Sequence, residues 1–144
     1  MYTLYIFNES GLSVQWLKTE KECLNFVQKN APFIHKYKYI PTDKQISQSF
    51  FPALYWNFSK NDIDINLDIA KAIKLDELRL TRDSLFPKLD QLFMRAIEEQ
   101  NSEKRRKIVD LKQKLRDVTK NELPSDLQYL QYYYPLVFAE IEKL

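Results

Sequence analysis

The chain has 144 residues, 44% hydrophobic and 14% aromatic, with a formal net charge of +2. That is the size and composition of one folded domain and excludes disorder for the chain as a whole. With Gly11 as its only glycine it lacks the loops that cradle phosphates, and no apolar run reaches the ~18 residues that span a bilayer.

The N-terminus carries no basic-then-apolar leader, and Cys23 has no second cysteine to bridge to. A reducing cytoplasm is the expected setting. Residues 68–120 hold fourteen Lys/Arg against ten Asp/Glu, while the remainder is slightly acidic. This is a weak footprint for a nucleic-acid binder.

In chain order, "YTLYIFNESGLSVQWL" alternates β-branched and aromatic residues. It predicts strands at Tyr2–Phe7 and Leu12–Leu17 around a turn at Asn8–Gly11. Thr19 and Glu22 then have capping-box spacing for a short helix that turns Cys23, Leu24 and Val27 inward. "FIHKYKYI" predicts a strand with lysines on one face, and the polar stretch from Thr42 to Ser49 a loop. A second hairpin is predicted from Leu54–Phe58 and Ile63–Leu67.

From Asp68, a suitable N-cap, the period becomes helical through Ile69, Ile73, Glu77 and Leu80. A second register follows in Leu85, Leu89, Leu92, Phe93, Ala96 and Ile97. Pro87 lacks an amide hydrogen, so a break near Arg82–Phe86 is expected, with Ser84 capping a new helix. Ser102 is the next predicted N-cap. Ile108, Leu111, Leu115 and Val118 form a stripe that would pack antiparallel on Leu85–Ile97 as a helical hairpin. Ser125 and Asp126 can cap a short final helix that Pro135 interrupts.

The predicted fold class is therefore α+β. A small N-terminal antiparallel sheet with one helix occupies 1–67, and an α-helical hairpin with a short, tyrosine-rich C-terminal helix occupies 68–144.

Chemistry-bearing residues are few. His35 sits among lysines and tyrosines, poor company for a metal, and reads as a surface or packed histidine. Cys23 reads as a buried structural thiol. Asp62 and Asp64 share a strand face. A small hydrolase could use them, but the calcium-loop pattern is missing and a solvated face is the simpler reading. The basic run "EKRRKIVDLKQKLR" distributes its charges around an apolar stripe, as a solvated helix does, so nucleic acid is not the expected partner. Tyr129, Tyr132, Tyr133 and Tyr134 are amphipathic rings crowded into a short helix. They either cover the hairpin's open end or form a protein-binding surface.

"LRLTRDSLFPKLDQLFMRAIEE", a variable turn and "KIVDLKQKLRDVT" together resemble a C-terminal module of small tail-associated proteins of tailed bacteriophages. Such proteins are often described as tail or tail-fibre assembly proteins. The resemblance covers residues 68–120 and rests on Leu78, Arg79, Arg82, Leu85, Leu89, Asp90, "FMRA" at 93–96, Glu98, Lys114 and "LRDVT" at 115–119. The turn departs from the expected pattern by having no glycine.

The resemblance implies a non-enzymatic, chaperone-like assembly factor or a subunit of the mature tail, working in the host cytoplasm or carried on the virion. It implies no catalysis, cofactor or metal. It further implies a tail or tail-fibre protein as partner; residues 1–67 would engage or shape that partner and the tyrosine-rich end would help, with Arg79, Arg82, Met94 and Arg95 as further candidate contacts. Self-association through the hairpin is a second expectation, and no membrane is involved.

Overall fold

The computed structural model describes residues 1–31, 34 and 36–144; the reading of His35 falls outside them. The chain divides into two units, Met1–Ala70 and Lys71–Leu144. Its class is α+β, with a small antiparallel sheet first and long helices after it.

In the first unit, β1 (Tyr2–Asn8) and β2 (Gly11–Leu17) pair without a bulge, from Tyr2↔Leu17 to Asn8↔Gly11. Asn8 Oδ1 accepts the Ser10 N–H at 3.0 Å and fixes the reversal. Gly11 then adopts φ +119°, a region that L side chains rarely enter. β3 (Lys36–Pro41) pairs antiparallel on the other side of β1, so the order is β2-β1-β3.

The capping box forms at α1 (Glu20–Lys29): Thr19 Oγ1 accepts the Glu22 N–H, while Glu22 reaches back to the Lys18 N–H at 2.8 Å. Cys23 and Val27 pack on Leu4 and Ile6. Leu24, expected to face inward, is 44% exposed. Cys23 and Val27 are one helical turn apart and already define the inward stripe, and Leu24 lies about 100° round from Cys23.

The opposite face of the sheet is covered by residues 42–53. The stretch expected to be a loop, Thr42–Ser49, holds one 3₁₀ turn, Thr42–Lys44, and the start of a second, Gln48–Ala53. From this cover Ile46 donates its N–H to Tyr5 Oη at 3.0 Å, Gln45 accepts from Thr3 Oγ1 at 3.0 Å, and Phe51 meets the Tyr5 ring edge-on. Each buried hydroxyl thereby has a partner, as burial requires.

β4 (Leu54–Asn57) and β5 (Asp62–Ile65) form the second hairpin, with Asn57 Oδ1 accepting the Ser59 and Lys60 N–H groups in its turn. Leu67, expected in this strand, instead begins the next helix.

That helix, α2 (Leu67–Glu98), corrects two expectations. Its N-cap is Asn66, whose Oδ1 accepts the Ile69 N–H, and not Asp68. It also runs unbroken through Pro87, and Ser84 does not cap a new helix but donates its Oγ–H to the Thr81 carbonyl at 2.7 Å. Proline removes one hydrogen bond and costs about 3 kcal/mol in a helix interior. Leu85 and Leu89, on either side of Pro87, are both buried in the core of the second unit, and their packing keeps the helix whole.

The inward register of the first half also differs from the expected one. Lys74 and Leu78 are buried, whereas Ile69 is 41% and Leu80 74% exposed.

α2 ends with Asn101 N–H donating to the Ala96 carbonyl and Gln100 N–H to that of Ile97, with Gln100 at φ +53°. This is a Schellman closure. Asn101, rather than Ser102, caps α3 (Ser102–Asp117) by accepting the Lys104 N–H.

The hairpin packs as expected: Leu85, Leu89, Leu92 and Ala96 meet Ile108, Leu111, Leu115 and Val118 in one core. The single C-terminal helix expected is two, α4 (Leu127–Tyr132) and α5 (Leu136–Glu142). Asp126 caps the first, and Pro135 precedes the second as its N-cap residue, where no amide hydrogen is needed. α5 adds Val137, Phe138 and Ile141 to the hairpin core.

Candidate interaction surface

α4 is short, and it is placed by side chains of α2. Lys74 Nζ donates to the Gln131 carbonyl at 3.0 Å, and Lys71 Nζ to Ser125 Oγ at 3.2 Å. With Leu130 fully buried, the helix period turns Tyr129 and Tyr132 outward, where they are 72% and 75% exposed. Tyr133 is half-buried and packs on the hairpin core. Tyr134 lays its ring edge-on to Phe138, with centroids 5.4 Å apart, and donates its hydroxyl to Glu142. That bond stabilises the protonated phenol and pushes its pKa up to about 12.

Beside these rings lies an open groove of about 510 Å³, lined by Lys114, Asp117, Tyr133, Tyr134, Leu136 and Glu140. Leu136 is 82% exposed. Aromatic and aliphatic surface rimmed by charges of both signs is the material of protein–protein contact.

The other site residues proposed from sequence lie on α2. Arg79 pairs with Asp76 and Arg82 with Asp83, each at 2.8 Å. Such exposed pairs contribute little to stability. Met94 and Arg95 are exposed near the end of the helix. Lys74, which anchors the tyrosine helix, and Met94 are separated by about 30 Å of α-helix at 1.5 Å per residue. The structure therefore brings the four tyrosines together but does not bring Met94 and Arg95 to them.

Near the end of α2 lies a second surface that sequence reasoning missed. Phe93, Arg105, Arg106 and Val109 line an open groove of about 660 Å³ on one flank of the hairpin. Lys112 Nζ sits 4.6 Å from the Phe93 ring centre and 2.7 Å from Asp90. Ile97, assigned to the core from periodicity, is 42% exposed on the same helix, and Val109 is 50% exposed. The signal was present in the sequence: Phe93 and Ile97 are four residues apart at the margin of the Leu89/Leu92/Ala96 stripe.

Asp62 and Asp64 are engaged with cations. Lys38 Nζ reaches both Asp62 oxygens, at 2.8 and 2.6 Å. Asp64 accepts from the Asn57 amide, from Lys60 and from the Ile65 N–H. The hydrogen bond from Lys38 holds the Asp62 carboxyl below the usual range, and those from Asn57 and then Lys60 do so for Asp64. A general acid needs the opposite shift, so the geometry adds nothing to a hydrolase reading.

Among the described residues no group of three or more His, Cys, Asp or Glu side chains could hold a metal ion, and no helix is long and apolar enough to cross a membrane. Comparison with protein-family models, with curated proteins and with solved structures returns no match for this chain.

Proposed function

We propose that the chain is a non-enzymatic bacteriophage tail or tail-fibre assembly protein, acting as a chaperone-like binder of another tail protein in the host cytoplasm. Two things support this reading. The resemblance over residues 68–120 supplies the phage context. The observation that carries the binding role is the tyrosine surface, where Tyr129, Tyr132, Tyr134 and Leu136 are 72%, 75%, 48% and 82% exposed beside an open groove. Apolar area of that kind stays exposed at a cost unless a partner covers it.

The second reading, a subunit of the mature tail or fibre-attachment apparatus, uses the same surface. Tagged protein expressed during infection should co-purify with a tail or fibre protein, and Y129A/Y132A should lose that partner while melting like the parent. Presence of the chain in purified particles would select the second reading. Capture of no tail protein from infected cells, or capture unaffected by the double substitution, would overturn the binding role.

A further inference from the structure

Among the described residues the N-terminal sheet ends at β2, whose outer edge is unpaired. The Met1 carbonyl accepts the Thr42 N–H at 2.9 Å, which sets the alternation along β1: odd residues turn their backbone groups to β3 and even residues to β2. The even residues of β1 face Gly11, Ser13, Gln15 and Leu17. It follows that Leu12, Val14 and Trp16 turn their N–H and C=O groups away from the sheet, on a strand that pairs only with β1 among the described residues.

Edge strands are ordinarily guarded by a lysine, a proline, a bulge or short length. β2 has none of these. It is seven residues long, pairs without a bulge, and "GLSVQWL" contains neither a charge nor a proline.

From this we propose that β2 is a homodimer interface, in which two copies pair antiparallel about a two-fold axis at Val14. The outward groups then match: Val14 pairs with the second copy's Val14, and Leu12 with its Trp16 on either side, giving about six inter-chain hydrogen bonds. Trp16, 47% exposed, lies against the apolar Leu12 of the other chain, and Ser13 faces Gln15 on the opposite surface.

The charges beyond the strand fit the same axis. Lys18 falls opposite the second copy's Ser10, next to its Glu9, and symmetry repeats this at the other end. Neither the Lys18 ammonium nor the Glu9 carboxylate has an ion-pair partner within its own described chain. An axis at Gln15 would take Lys18 away from Glu9, and one at Ser13 would keep that match but pair only Leu12 with Val14 within the strand, for about four hydrogen bonds instead of six. The product is a continuous six-stranded sheet, β3-β1-β2 joined to β2-β1-β3 of the second copy. This interface is distinct from the helical hairpin and does not depend on the phage reading.

Sedimentation velocity of the full chain over a roughly hundredfold range of concentration should show a reversible dimer. V14P removes the central amide hydrogen while sparing β1, because that hydrogen points outward and an edge strand accepts proline there. It should be monomeric with an unchanged far-UV spectrum.

E9K and K18E each bring like charges near one another at both ends and should each weaken the dimer on the order of threefold. Mixed in equal amounts they should associate like the parent, because each heterodimer restores two opposite-sign pairs. A parent chain that stays monomeric overturns the proposal, and so does a folded V14P that still dimerises. If V14P does not fold, the charge variants decide: no recovery on mixing overturns it.

Discussion

Lys74 Nζ donates to the main-chain carbonyl of Gln131 at 3.0 Å, from a side chain only 9% exposed that also lies 3.4 Å from Glu77 Oε2. A buried ammonium persists only where acceptors replace its water. The acceptor here is in the last turn of α4, so the lysine fastens the tyrosine helix to α2. K74M keeps the apolar stem and removes the donor, and it should lower unfolding stability by about 1–3 kcal/mol. Urea midpoints read the loss, and proteolysis in residues 121–126 should accelerate. An unchanged midpoint with unchanged cleavage would contradict this account.

The turn between α2 and α3 places Gln100 at φ +53°, in a closure that glycine most often completes. A side chain in this region costs about 1 kcal/mol or somewhat more. Q100G should therefore raise the melting temperature, net of the greater freedom glycine gives the unfolded chain. A lower melting temperature would mean that the glutamine side chain contributes more than its backbone strain removes.

Hairpins and single-stripe helices were legible in the sequence because their signals are local. The alternation in Tyr2–Leu17, the Thr19/Glu22 box and the Leu89/Leu115 stripes each follow from neighbours a few residues away. The misreadings within α2 share one cause, which is long-range packing overriding local preference. Pro87 argues for a break, yet Leu85 and Leu89 are both held in a core completed by Phe138 from α5. Leu80 carries a helical period but points outward, while Lys74 takes an inward place because the Gln131 carbonyl is there to receive it.

The caps at Asn66 and Asn101 were displaced by one or two residues from equally suitable Asp68 and Ser102, a choice that side-chain type alone does not make. The tyrosine surface was visible as composition. Its separation from Met94 was not, since it depends on α2 being one rod.

Asp64 accepts from Asn57, from Lys60 and from the Ile65 N–H, so its folded pKa lies below its unfolded one. Stability from such a group is complete above the ordinary carboxylate pKa, about 4, and is lost as the pH falls below it toward the depressed value. D64N should lower the melting temperature at pH 7 and reduce the further fall between pH 7 and acid conditions. Parallel melting curves for parent and variant at both pH values would refute the assignment.

Tyr134 shifts the other way. Its bond to Glu142 raises the phenol to about 12, so its contribution is complete below the unfolded value of 10.0 and disappears as the pH rises through 12. Ultraviolet titration of the nine tyrosines should show a late-ionising component that E142Q moves to lower pH. A titration with no such component, or one that E142Q leaves in place, would exclude the bond in solution.

Cys23, the only thiol, is fully buried on α1 against the sheet, and burial followed by Glu22 and Glu20 raises its pKa. The native chain is thus silent toward thiol reagents and reacts only when α1 lifts from β1. Its rate of modification is a clock for opening of the first unit alone, set against a second unit that contains no sulfhydryl. Stability can thereby be read for one half of the chain without labelling or dissecting the other.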